Sequence, residues 1–290
     1  MSRRNLFVQP TSRLAIWARR LSLFAIPVAL LAIIFERTGI FEFYPVVATF
    51  GASLALAGLA VLLAIIALCV IWFNGDSGAG HAVIALLIGF MLLAYPAYLG
   101  TKAYRLPAIY DVTTDPLDPP RFEAVARLRS REANPPAYGG LATYALQKKA
   151  YPDIEPVNVS VNAQAAYDVA MAVVTRRKWR VVDARPPQAG RREGRIEAIA
   201  QSFIMGFRDD VVIRVRPTGT NAARIDVRSS SRYGYHDLGD NASRVTALTD
   251  EIDDAASPDK VERAARRAAR AAQQQQKPGA KPAPAQPAKR

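Results

Sequence analysis

The chain has 290 residues, a formal charge of +13, one cysteine and two histidines. A single thiol excludes an internal disulfide and a thiolate metal cluster, two histidines are too few for a multi-histidine zinc site, and no metal or cofactor is expected. The charge sits at the ends, +5 over residues 1–20 and +7 over residues 258–290; a nearly neutral middle fits contact with a membrane surface, and nucleic acid is not expected as a partner.

Residues 1–20 read as a basic cytoplasmic start, and residues 21–100 as three transmembrane helices. Leu21 to Phe35 is uncharged and follows Arg13, Arg19 and Arg20. Glu36, Arg37 and Thr38 stand where a signal peptide would need small residues for cleavage, so the run reads as an uncleaved anchor. It is short for a hydrocarbon core of about 30 Å, and Trp17 with the arginine stems is expected to extend it. Val46 to Phe73 runs 28 residues without a charge, long enough to span with tilt. Ala82 to Leu99 is a third uncharged run, whose Gly89 and Pro96 a membrane helix tolerates.

Small residues recur four apart at Ala48/Ala52, Gly51/Ala55 and Ser53/Ala57, as in closely packed helix pairs, although small residues are common in such helices anyway. No ionisable side chain lies deep in any run, which argues against a proton relay or ion pathway. The arginine-rich start belongs on the cytoplasmic side, and three crossings then place the rest outside, in the periplasm of a two-membrane bacterium. If Leu21 to Phe35 lay on the surface instead, the domain would be cytoplasmic.

Residues 101–156 are rich in proline and are expected to form an extended arm with sparse regular structure, apart from a short basic helix within Pro120 to Arg131. Residues 157–257 read as an α+β core. Val157 to Ser160 suggests a strand, and Asn162 caps a helix to about Arg177 with Ala166, Val169, Ala170, Val173 and Val174 on one face. The period then falls to two over Trp179 to Ala184, Arg195 to Ser202, Val211 to Arg216 and Arg224 to Ser229. Val211, Ile213 and Val215 oppose Val212, Arg214 and Arg216, while Ile225 and Val227 oppose Arg224, Asp226 and Arg228. One apolar and one charged face predict an antiparallel sheet with helices on one face. Asp240 or Asn241 is expected to cap a last helix carrying Val245, Leu248 and Ile252. Pro258 opens a further Ala/Arg/Gln-rich helix, and from Gln273 the basic tail reads as disordered.

The densest polar stretch is Arg224 to Arg244. Asp209 and Asp210 are sequence neighbours on a strand and point to opposite faces, so one of them is expected to pair with an arginine of the next strand. Asp226, Arg228 and Arg232 are expected to form a salt-bridged group, with an anion clamp by the two arginines as the functional alternative. Ser229, Ser230 and Ser231 near His236 and Asp237 invite a hydrolase reading, yet no nucleophile-elbow pattern surrounds the serines. The candidate ligand-binding set is Asp210, Arg214, Asp226, Arg228, Ser231, Arg232, Tyr235, His236, Asp237 and Asn241, with no catalytic residue assigned.

From about Ile109 to Ile252 the chain resembles a bacterial and plastid family known as domain of unknown function 1499, here fused behind membrane helices. The residues that carry the resemblance are IYDVTTD from Ile109, PPRF at Pro119, YPDI at Tyr151, Trp179, IEA at Ile196, FRDDVVIRV at Phe207 and DVRSSSRYGYHDLGDNASR from Asp226. Tyr235 and His236 depart from the smaller or basic residues of relatives. The resemblance implies one small α+β domain in a membrane or envelope setting, with no activity or cofactor attached.

The expectation is therefore a multi-pass inner-membrane protein of the cell envelope, whose periplasmic domain binds an envelope protein or an anionic ligand and is not an enzyme. The lipid bilayer is its other partner. The alternatives are an envelope hydrolase using the Ser/His/Asp/Arg loop and a structural module whose membrane helices associate.

Overall fold

A computed structural model of the chain describes residues 9–188, 193–257, 259–262 and 266. Three N-terminal helices are long and apolar enough to cross a membrane: α1 (Arg13–Thr38), α2 (Phe43–Asn74) and α3 (Ala79–Arg105). At ~1.5 Å per residue the 26 residues of α1 reach about 39 Å. The helix therefore outruns its uncharged stretch at both ends and exceeds a hydrocarbon core of about 30 Å.

The helices meet through small side chains. Ala15, Ala18, Ser22, Ala25, Ala29 and Ala32 of α1 are buried, as are Ser53, Ala57, Ala60, Ala64 and Ala67 of α2, and Ala82, Ala85 and Gly89 of α3. This spacing brings backbones close, as association in lipid requires. Of the expected pairs only Ser53/Ala57 turns inward; Ala48, Ala52, Gly51 and Ala55 face outward. The chain start and the α2–α3 turn share one end of the bundle, where Ser12 N–H donates to the Ser77 carbonyl at 3.0 Å. The α+β domain lies at the other end.

That domain is built on an antiparallel six-stranded sheet in the order β1–β6–β5–β4–β3, with β2 also paired to β6. The strands are β1 (Asp111–Thr113), β2 (Val157–Val159), β3 (Arg180–Arg185), β4 (Gly194–Gln201), β5 (Arg208–Gly219) and β6 (Ala222–Ser231). β1 and β2 share one edge of β6, Asp111 facing Ser230 and Val157 facing Ile225. Helices α5 (Ala163–Arg176) and α6 (Asp240–Ala255) cover one face. Their Ala170, Val173, Val174, Val245, Leu248 and Ile252 pack on Ile196, Val211, Ile213, Val215, Ile225 and Val227. The Asn162 side chain accepts from Ala165 N–H at 2.8 Å and starts α5 as its residue type predicts.

The arm departs from expectation in two ways. It contains α4 (Gly140–Ala150), while the expected basic helix is a single 3-10 turn at Val125–Leu128. α4 has a use: Gln147 Nε2 donates to the Thr113 carbonyl at 2.7 Å, and its Oε1 accepts from Thr113 N–H at 3.1 Å. The side chain thus closes the free edge of β1 as another strand would.

More consequentially, the arm covers the charged face of the sheet. Phe122 and Val125 pack on Ile199 and Val212, and Glu197, Asp210, Arg214, Asp226 and Arg228 beneath them are buried. Charged alternation here marks buried ion pairing and not a solvated face. The helix opened by Pro258 falls largely outside the described residues, and the tail from Gln273 wholly so.

Candidate functional site

The candidate residues separate into individually neutralised groups. Arg228 is 1% exposed. Its Nε and Nη2 donate to the two carboxylate oxygens of Asp111 at 2.9 and 2.6 Å, and Nη1 and Nη2 donate to the carbonyls of Pro120 and Pro136 at 3.0 and 2.9 Å. The guanidinium carbon also lies 4.4 Å from the Phe122 ring centre. Burial pushes the Asp111 carboxyl up from the ordinary carboxylate range, and Arg228 works against that shift.

Asp226 belongs to a second group. Its carboxylate accepts from Arg214 and Arg224, with Arg216 2.9 Å away, while Asp115 and Asp118 of the arm hold the outer sides of these arginines. Asp210 anchors a third, accepting from Arg232 Nη2 at 2.7 Å and from Arg129 Nε at 2.8 Å. The single group expected from Asp226, Arg228 and Arg232 is therefore three groups, each with its own carboxylate partner. Asp209 points to the opposite face and meets Arg244 of α6 at 2.6 Å.

The residues of the loop after β6 hold backbone. Asp237 accepts from Gly239 and Asn241 N–H, both at 2.9 Å, so the carboxylate that caps α6 is Asp237, and neither Asp240 nor Asn241 fills that position. Burial raises the Asp237 carboxyl, and the two amide donors counter it. Asn241 is wholly buried, accepting from Ser229 Oγ at 2.7 Å and donating to the Tyr110 carbonyl and to Ser231 Oγ.

His236 Nδ1 accepts from Leu238 N–H at 2.9 Å, which leaves the proton on Nε2, facing the carbonyls of Ala103 and Leu106. Both ring nitrogens serve backbone, and among the described residues no serine, histidine and acid line up as nucleophile, base and orienter. Tyr235 is exposed. His236 instead ties the domain to α3, next to a Lys102–Asp240 pair at 3.4 Å. On the α2 side Phe43 stacks on Tyr233, ring centres 4.2 Å apart.

Charge without a carboxylate partner collects elsewhere. A cleft of about 600 Å³ opens between the end of α1, the 3-10 turn, the α5–β3 turn and the ends of β4, β5 and β6. It is lined by Arg37, Arg177, Lys178, Arg180, Arg208 and Arg232 and, among the described residues, by no acid. Arg177 is held by Glu251 and Arg232 by Asp210. Among the described residues Lys178, Arg180 and Arg208 have no carboxylate within 4 Å. Arg37 donates through Nε to the Ile204 carbonyl at 3.1 Å and through Nη2 to that of Phe203.

Two glycines allow this approach. Gly39, at φ +66°, has the Arg208 guanidinium where a side chain would stand, and Gly206, at φ +83°, packs on the Arg37 stem. Sequence reasoning missed the cleft; its one visible signal is the run Arg176, Arg177, Lys178, Trp179, Arg180.

Three helices long and apolar enough to cross a membrane, carrying an α+β domain with its charged strands sealed under an arm, give the chain the make-up of a membrane-associated protein. Residues 111–252 match the family described as protein of unknown function (DUF1499). A comparison with curated proteins found no match.

Proposed function

We propose that the chain is a non-catalytic protein of the bacterial envelope, crossing the inner membrane three times and presenting its domain to the periplasm as a binding module for an anionic ligand. The carrying observation is the contrast within its polar residues. The groups that would serve catalysis or clamp an anion are occupied by one another, whereas Lys178, Arg180 and Arg208 face an acid-free cleft. A saturated ion pair has little left to offer a ligand, while an unpaired cation beside a cavity gains from one.

Orientation rests on Arg13, Arg19 and Arg20 at the end of the bundle away from the domain, which the preference for positive charge on the cytoplasmic side favours. Alkaline phosphatase fused after residue 257 is expected to be active, and green fluorescent protein fused there dark. Fluorescence without phosphatase activity would overturn the compartment.

A further inference from the structure

We propose that the cleft is a headgroup site for an anionic phospholipid of the leaflet beneath the domain, with Lys178, Arg180 and Arg208 gripping the phosphate. The inference rests on the binding-module reading above and names its ligand class. Arg37 and Thr38, which form one wall, are the last residues of a membrane-spanning helix, so the cleft opens at headgroup level. A soluble anion would need no site there.

Ser202 to Phe207 joins β4 to β5, and the Phe203 ring in it is 92% exposed. The Phe203 and Ile204 carbonyls are fastened to Arg37, which fixes this loop at the same level. An aromatic ring left bare in water is unfavourable, but beside lipid glycerol and upper acyl carbons it sits as interfacial aromatic residues do. The cleft and the ring together match a molecule that is anionic at one end and apolar at the other.

Lys178 lies in the left-handed region at φ +57° in the turn between α5 and β3, a conformation disfavoured for a lysine, and the turn brings Lys178 and Arg180 into one cleft with Arg208. Glu36 near the end of α1 feels the Arg208 charge but does not line the cavity. A phosphodiester entering it meets no carboxylate among the described lining residues, and arginine offers it two parallel N–H groups.

The test uses the full chain in detergent micelles, with native mass spectrometry counting bound phosphatidylglycerol and phosphatidylcholine. Wild type is compared with Lys178→Gln/Arg180→Gln/Arg208→Gln and with a charge-matched control, Arg121→Gln/Arg131→Gln/Lys149→Gln. Phosphatidylglycerol is expected to bind in preference to phosphatidylcholine, with affinity falling at least tenfold in the cleft variant and less than twofold in the control. Equal loss in both variants, or no loss in the first, overturns the site. Displacement of the lipid by millimolar inorganic phosphate overturns a lipid source in favour of a free anion. If the triple variant fails to fold, as circular dichroism would show, Arg180→Glu at an exposed position carries the same prediction. A fluorescent fusion overturns the compartment alone, whereas lipid retained by the cleft variant overturns the site alone.

Discussion

The layer under the arm and the cleft at the end of α1 are both rich in arginine and share one face of one sheet, yet they dispose of charge in opposite ways. In the layer the buried arginines find carboxylates, and the carbonyls of Pro120 and Pro136 take up Arg228 donors that the carboxylate leaves over. In the cleft the cations converge and, among the described residues, no acid lines the wall. The layer uses charge to fix where the arm lies, because a buried pair that loses one member leaves the other stranded. The cleft leaves its charge available. Arginine content alone says nothing about function; the placement of carboxylates decides.

The comparison breaks most readily at Arg228. Arg228→Ala leaves the Asp111 carboxylate buried without its partner and should cost about 3–5 kcal/mol in denaturant unfolding of the full chain. Arg228→Met combined with Asp111→Leu should recover much of that loss, since no uncompensated charge remains. Next comes Glu197, whose carboxylate accepts from Glu123 and Val125 N–H at 3.0 and 2.9 Å. Glu197→Ala orphans both amides at about 1–3 kcal/mol each, and should expose Arg121 and Arg127 of the arm to limited trypsin digestion before the rest of the domain.

Asp237 sharpens the picture by pH. Its raised carboxyl favours the neutral form in the folded domain, so its contribution is complete below the ordinary carboxylate range and is lost as pH rises through the elevated value. Asp237→Asn keeps a capping acceptor and should flatten the stability–pH curve above that range, with a change within about 1 kcal/mol at neutral pH. A curve as steep as wild type would refute the assignment. The smallest effect belongs to the cleft: Arg180→Gln should shift stability by no more than about 0.5 kcal/mol, as at exposed positions without partners. A larger loss in the same unfolding measurement would mean that the cleft too is structural.

Much of the architecture is legible in the residues. Twenty-eight uncharged positions announce α2, and strict alternation announces β5 and β6, including which side faces the helices. The covering of the other side is not legible, because alternating charge reads alike whether it meets water or a matching set of aspartates from Asp111 to Asp118. α4 escapes notice because glycines and prolines flank it and its 11 residues carry only a weak apolar stripe. The site was the least accessible. Lys178 and Arg180 stand out as a basic run, but Arg37 and Arg208 join them only because β5 begins where α1 ends.

The pairing of β6 also bears on how the chain is made. Its partners on one edge, β1 and β2, are synthesised well before it, and β5 on its other edge immediately before. The sheet centre therefore cannot close until residue 231 has emerged, by which time all three apolar helices and the whole arm have left the ribosome. Contacts this distant in sequence form slowly. That delay keeps the sheet open until most of the chain has been made, and the last long strand acts as the latch that closes it.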